Sequence, residues 1–364
     1  MRVASLFSGI GAFEFALKRL NIPHEIVFAC DNGDIEIDID LEKEQQIVKS
    51  LDDAVKQKKY VDGLYESKSR KTNFVKRSYL ANYDILENHF HQDVRLFDGT
   101  KYKDVDILVG GSPCQSFSTV GDQFGLEDAR GTLFYDFARI VDEVKPRVFI
   151  YENVRGLYTH DKGNTWEGMR SVFHELGYTI YDSILDAKDY GVPQTRRRLF
   201  VVGFKENRNG FIFPGKNELT FTAQDFLLDN TKQGNFISIN GNITLKNDKG
   251  VYDPKYFLSP KLEKYVMKGG TKTFYQKPEI DLPVARTILS TMGNRHRAGV
   301  DNYYTIDGKI RMLTEREAHR FMGFTDDYKI VVSRAQGYRQ AGNSIVVDVL
   351  MALIKEIILV EYLK

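Results

Sequence analysis

Val3-Ala4-Ser5-Leu6-Phe7-Ser8-Gly9-Ile10-Gly11, continuing into the periodic stretch Ala12 to Leu20 and the run Ile26 to Ala29, is the segment that decides the fold. A short apolar run, a glycine turn, helical spacing and a second apolar run spell strand, turn, helix, strand. The rhythm returns further on: Asp106 to Val109 and Val148 to Tyr151 read as strands, with Leu133 to Val144 as a helix between them. Such alternation predicts an α/β chain with a parallel, doubly wound sheet. Tyr178 to Leu185 and Leu199 to Phe204 read as further strands, the second nearly all apolar, as expected of a strand covered on both faces. The sheet is expected to close near Phe204.

Two stretches break the rhythm. Residues 33 to 78 begin acidic (Asp34, Glu36, Asp38, Asp40) and end basic (Lys68, Arg70, Lys71, Lys76, Arg77). Within them Ile47, Val48, Leu51, Ala54 and Val55 recur at helical spacing, which predicts a helical insertion. From 205 to about 285 the pattern becomes turn-rich and reads as a second, irregular unit. Beyond it, Thr314-Glu315-Arg316-Glu317 has the spacing of a capping box, and Gly323 is placed to stop the helix. The apolar C-terminal run is interrupted by Asp348, Lys355 and Glu356, so it reads as a buried or amphipathic helix, too charged to span a membrane.

Composition sets outer limits. An apolar fraction of 42% and a charged fraction of 28% are those of a folded globular enzyme. With Cys30 and Cys114 as the only cysteines and no secretory pattern near the start, a disulfide framework is not expected and a reducing, cytoplasmic setting is. The net charge of +1 does not announce a nucleic-acid binder, but Lys255, Lys261, Lys264, Lys268, Lys272 and Lys277 cluster against one acid, Glu263. Interleaved with aromatic residues, they form either a phosphate-facing surface or a solvated lysine-rich face.

The chemistry-bearing residues sit at strand ends. Gly110-Gly111-Ser112-Pro113-Cys114-Gln115 follows the strand Asp106 to Val109, which places a cysteine at the carboxyl edge of a parallel sheet, where open α/β folds hold ligands. A buried structural cysteine is the plainer reading, but a loop bearing Gly, Ser and Pro argues for reactivity. Glu152-Asn153-Val154 puts a carboxylate at the equivalent edge after Val148 to Tyr151, and Gln194 to Arg198 precedes the strand Leu199 to Phe204. The turn Phe7 to Gly11 lets backbone approach a ligand, yet Glu14 stands where a dinucleotide fingerprint needs its third glycine, which counts against a nicotinamide oxidoreductase. Asp31, at the end of the next strand, is placed for ribose hydroxyls. Cys30 beside it reads as structural.

In this order the motifs resemble those of the cytosine-5 DNA methyltransferase family over nearly the whole chain, as found in restriction-modification systems. The blocks are Phe7 to Gly11, Pro113-Cys114-Gln115, Leu126 to Phe134, Glu152-Asn153-Val154, Gln194 to Arg198, Leu313 to Glu317 and Gln340 to Ser344. The resemblance implies a mostly parallel, Rossmann-like S-adenosylmethionine-dependent methyltransferase sheet, with a second, smaller and irregular target-recognition domain. Residues 1–204 with 335–364 would form the catalytic and cofactor domain, and 205–334 the recognition domain and hinge. Cys114, Glu152, Arg196 and Arg198 are implied as catalytic. Phe7, Gly9, Gly11, Asp31, Asp93, Val94, Pro113, Leu133, Asn343 and Ser344 are implied to hold S-adenosylmethionine and to release S-adenosylhomocysteine. Asp31 stands where the family commonly has Glu, and His91-Gln92 precedes Asp93 where a glycine is usual.

Cytosine C5 is too poor a nucleophile to take a methyl group unaided, so a thiolate must add at C6 and push electron density to C5. A carboxyl group at the N3 edge can relieve the resulting charge, and fixed arginines favour the thiolate. This chemistry needs no metal. A cytosine inside a duplex must first be extruded, at a cost of a few kcal/mol. Arg286, Arg295, Arg297, Lys261 and Lys264, with His296, are the candidates for DNA contact. The expected partner is double-stranded DNA, with a cognate restriction endonuclease acting separately as a further one, and the chain is expected to work as a monomer away from membranes. Methylation of cytosine in tRNA on the same fold, or a catalytically silent DNA-binding relative, are the alternatives; retention of both Cys114 and Glu152 speaks against the second.

Overall fold

Seven strands form one sheet: β1 (Arg2–Leu6), β2 (Glu25–Cys30), β3 (Phe90–His91), β4 (Ile107–Gly110), β5 (Val148–Val154), β6 (Thr179–Asp186) and β7 (Arg197–Phe204). Their spatial order is β3-β2-β1-β4-β5-β7-β6. β1, β2, β3, β4 and β5 pair in parallel, and β7 runs antiparallel to both its neighbours. The sheet is therefore mostly parallel, as the βα alternation predicts, and its last strand in sequence ends at Phe204. This computed structural model describes residues 1–113, 133–206, 210–228, 236–245, 253–271, 274–275, 277–294, 296 and 299–362. Cys114, Lys272, Arg295, Arg297 and most of the block Leu126 to Phe134 lie outside the described residues.

Why the middles of the central strands are apolar is visible in their packing. Successive side chains leave a strand on opposite faces. Val3, Ile107, Val148, Ile150, Phe200 and Val202 enter one core, while Ala4, Leu108, Phe149, Tyr151, Leu199 and Val201 enter another. The first core is closed by α1 (Ala12–Arg19) and the C-terminal helix. The second is closed by helices C-terminal to β4 and β5.

The insertion is helical but divided. α2 (Leu41–Ser50) ends at Leu51, and α3 (Ala54–Lys68) begins afresh because the Asp53 carboxylate accepts the Val55 and Lys56 amides. The periodic set Ile47 to Val55 thus spans two helices, an N-cap having overridden continuous spacing. α4 (Phe74–Asn82) follows, capped by Asn73. α5 (Leu133–Val144) buries Phe134, Phe137, Ala138, Ile140, Val141 and Val144, a single apolar stripe against the sheet. α6 (Gly156–Thr159) and α7 (Asn164–Glu175) continue that layer.

Beyond Phe204 the described chain is irregular, with the antiparallel pairs β8 (Phe236–Ile239) with β9 (Asn242–Leu245), β10 (Gly270–Thr271) with β11 (Phe274–Tyr275), and β12 (Tyr303–Ile306) with β13 (Lys309–Met312). α8 (Pro260–Val266) lies among them, and α9 (Glu315–Arg320), α10 (Arg334–Asn343) and α11 (Val347–Tyr362) complete the chain. α11 returns to α1, where the Arg19 guanidinium donates to both Asp348 oxygens at 2.9 and 3.0 Å. No described helix is long and apolar enough to cross a membrane.

The capping box at Thr314 forms as its spacing predicts, and Glu317 does more than cap. Its carboxylate takes two bonds from the Arg311 guanidinium, at 2.7 and 2.9 Å, with both side chains 0% exposed. Replacing Glu317 with leucine leaves that guanidinium buried without its counter-charge. The expected loss, read from urea unfolding, is about 3–5 kcal/mol. A loss below about 1 kcal/mol, the level of an exposed pair, would show that the pair does not hold this region.

Candidate active site

Gly110 at the end of β4 lies opposite Tyr151 on β5, so the next residue, Gly111, comes against Glu152. A Cβ on Gly111 would sit 2.6 Å from the Glu152 carbonyl oxygen and 3.2 Å from its carboxylate, so only glycine permits this approach. Ser112 Oγ is 2.7 Å from the Tyr151 hydroxyl. The Asn153 amide donates to the Ser112 carbonyl at 3.1 Å and to the Tyr151 hydroxyl at 2.8 Å. All three side chains are buried. The chain is thus pinned at Ser112, two residues before the expected nucleophile. Nothing in residue spacing announces this network, because it joins the ends of two strands by hydroxyl and amide groups.

Glu152 faces an arginine that arrives from β7. The antiparallel register sets Glu152 opposite Phe200 and Val154 opposite Arg198, and Arg198 Nε reaches Glu152 Oε1 at 3.3 Å. Burial pushes the Glu152 carboxyl above the usual range, more than the charges of Arg198 and Arg196 pull it down. It is therefore inclined to hold a proton. Arg196 points elsewhere: its guanidinium donates to the carbonyls of Ile288, Gly342 and Ser344 at 3.0, 2.9 and 2.8 Å. Burial and the neighbouring Arg198 lower its pKa to about 9, which still leaves it a cation at neutral pH. The two expected catalytic arginines thus divide, Arg198 onto the carboxylate and Arg196 onto the backbone that carries Asn343 and Ser344.

The cofactor candidates of β1 and β2 meet at the same carboxyl edge. Phe7, Gly9 and Gly11 all have positive φ, at 51°, 52° and 75°. For Phe7 this is a strained conformation of the kind that collects at ligand sites. A Cβ on Gly11 would meet the Tyr83 ring at 2.2 Å, and the Tyr83 hydroxyl donates to the Gly11 carbonyl at 2.6 Å. The Asp31 carboxylate accepts the Gly9 and Gly33 amides at 2.9 and 2.8 Å, and burial raises its pKa to about 6. Each of its oxygens keeps a lone pair for a ribose hydroxyl. Ser8 Oγ in this turn is buried without a hydrogen-bond partner, as fits a turn shaped to receive a polar ligand. Asp93 and Val94 are buried at the end of β3, Leu133 starts α5, and Ser344 is buried just beyond α10. Cys30 is buried, and burial raises its thiol pKa well above the usual value, as befits a structural residue.

Of the DNA-contact candidates, Lys261 and Lys264 are exposed on α8. Arg286 is tied down, donating to the Glu279 carbonyl at 2.9 Å and lying 3.4 Å from its carboxylate. Lys255 and Lys277 pair with Asp253 and Glu279 at 3.0 and 3.3 Å, so part of the lysine-rich surface is neutralised locally.

A glycine turn after β1, an acid after β2 and another near the end of β5, and a sheet whose seventh strand enters antiparallel beside β5 make a Rossmann-like fold of the methyltransferase class. Residues 1–359 match the model of the C-5 cytosine-specific DNA methylases, and the chain belongs to that family. It is 38% identical to the type II methyltransferase M.HhaI of Haemophilus parahaemolyticus over 276 residues, 73% of this chain and 81% of that one. With M.SsoII of Shigella sonnei it shares 36% over 293 residues, 78% of this chain and 71% of the relative. The fold is shared with the S. pombe Dnmt2 methyltransferase, at TM-score 0.66, 18% identity and coverage of 99% and 98%. The Entamoeba histolytica methyltransferase EhMeth shares it at TM-score 0.55, 14% identity and 98% coverage of each chain. The activity of the chain is methyl transfer to C5 of cytosine in DNA.

Proposed function

We propose that the chain methylates one cytosine within a short sequence of double-stranded DNA, taking the base out of the helix and adding Cys114 to C6. S-adenosylmethionine, bound along the β1–β2 edge by Phe7, Gly9, Gly11 and Asp31, with Asp93 and Val94 at its adenine and Pro113, Leu133, Asn343 and Ser344 enclosing the rest, would supply an electrophilic methyl group. The protein's own residues prepare the ring for it. Cys114 attacks as thiolate, forming the S–C6 bond while the C5–C6 π electrons move toward C5 and the N3 edge. Glu152 gives a proton to N3 as that charge develops. Arg198 fixes the orientation of the Glu152 carboxyl, and Arg196 ties the Asn343–Ser344 segment to the sheet. After methyl transfer a base or water takes the C5 proton, the C5–H electrons re-form the C5–C6 double bond, the S–C6 bond breaks to restore the thiolate, and N3 returns its proton to Glu152.

The observation that carries this reading is the Glu152–Arg198 pair at 3.3 Å, packed against Gly111 three residues before Cys114. Residues 1–204 with 335–364 serve catalysis and cofactor binding, and 205–334 serve target choice, with Lys261 and Lys264 exposed for phosphate contact. A cognate restriction endonuclease would act separately on the same sequence. Duplex DNA with 5-fluorocytosine in place of cytosine tests the mechanism, because fluorine at C5 cannot leave as a proton does. Incubated with S-adenosylmethionine, the active protein should form a denaturation-resistant adduct whose modified peptide contains Cys114. Active protein that gives no adduct would refute covalent addition, and the same assay with tRNA separates the two nucleic acids.

A further inference from the structure

We infer that the helical insertion is part of the cofactor site, and that Tyr65 and Asn73 are positioning residues for the acids Asp93 and Asp31; this rests on the cofactor assignments proposed above. Asp93 is 3% exposed, and its carboxylate has donors in four directions. Oδ1 accepts the Arg95 amide at 3.0 Å and Arg95 Nε at 2.9 Å. Oδ2 accepts the Arg95 guanidinium at 2.7 Å and, from α3, the Tyr65 hydroxyl at 3.0 Å. Three of these bonds come from within the same turn and would travel with it. Tyr65 alone ties the carboxylate to the insertion. Burial, with Asp93 alongside, pushes the phenol well above its ordinary pKa, which keeps it a donor.

The second tie is made at the ribose side. Asn73, just before α4, donates its amide to the Asp31 carbonyl at 2.9 Å while its Oδ1 caps the helix by accepting the Lys76 amide at 2.8 Å. The approach is close enough that a Cβ on Gly33 would meet Asn73 Oδ1 at 2.3 Å, and the Gly33 amide in turn holds Asp31 Oδ1. Two side chains of the insertion therefore reach Asp93 and Asp31, the two acids proposed for the cofactor site. A further contact of the insertion falls outside that pattern: Gln57 donates to Asp98 at 2.9 Å, five residues past Asp93. It offers a control from the same interface.

The experiment measures S-adenosylhomocysteine affinity by calorimetry on the full chain. Tyr65→Phe removes one hydroxyl, and Asn73→Asp keeps the cap acceptor while losing the donor. Each should weaken binding by roughly fivefold to tenfold, the scale of one lost hydrogen bond. Each should raise KM for the methyl donor and leave kcat at saturating donor and the Kd for duplex DNA unchanged. Gln57→Ala should lower Tm without changing S-adenosylhomocysteine affinity. Wild-type affinity in both Tyr65→Phe and Asn73→Asp would overturn the inference, as would an equal loss in Gln57→Ala. Asp31→Ala and Asp93→Ala separate the two levels: if neither weakens binding, the cofactor assignments themselves fail.

Discussion

Cys114→Ala should slow methyl transfer on the order of 10⁶-fold, the scale seen when a nucleophile that acts together with its partners is removed, while the affinity for duplex DNA stays close to that of the parent. The two effects separate because they have different sources. In the proposed division of the chain, affinity comes from phosphate and groove contacts spread over the recognition segment. On the proposed mechanism chemistry depends on one sulfur, since without an S–C6 bond the C5 carbon has too little electron density to attack. Cys30 cannot stand in: it is buried at the end of β2, and burial holds its thiol in the unreactive protonated form. Labelled methyl incorporation and DNA binding, measured at one fixed salt concentration, check both halves. Turnover within about tenfold of the parent, a barrier change of only about 1.4 kcal/mol, would mean that methyl transfer does not proceed through this cysteine.

Much of the sheet was legible because β1, β2, β4 and β7 are largely buried and read as apolar runs, whereas the two residues of the edge strand β3, Phe90–His91, leave no periodic trace. α5 matches the stretch Leu133 to Val144 because a single apolar stripe sets its length. The insertion was legible as helix but not as separate helices, since the break between α2 and α3 is set by Asp53, which acts through one carboxylate on two amides and leaves little trace in periodicity. The site divides in the same way. Glu152 could be placed at a strand end from its neighbours alone, but its pairing with Arg198 follows from β7 entering antiparallel beside β5. That is a property of topology, which spacing along the chain does not carry. Arg286 carries a contact of the same kind, holding Glu279, seven residues earlier, by its carbonyl and its carboxylate.

The companion expectation concerns the proton. Glu152→Gln should lower kcat by about 10²–10⁴-fold, the contribution of a positioned general acid, with S-adenosylhomocysteine affinity little changed. Glutamine preserves the size of the side chain and can still accept from Arg198, but it has no proton to give to N3. The pH profile distinguishes this from mere disturbance. On the proposed mechanism, the rate of the parent follows the product of protonated Glu152 and ionised Cys114. Raising pH first adds thiolate and removes carboxylic acid together, and once the thiol is fully ionised the continuing loss of acid makes the rate fall. Burial lifts the Glu152 pKa, so more of the acid form survives near neutrality than an exposed glutamate would retain. In Glu152→Gln only the thiolate dependence remains, so the rate should rise with pH and level off without an alkaline decline. A profile that still declines, or a defect confined to cofactor affinity with kcat preserved, would remove Glu152 from the acid's role and leave the carboxylate as an anchor for Arg198.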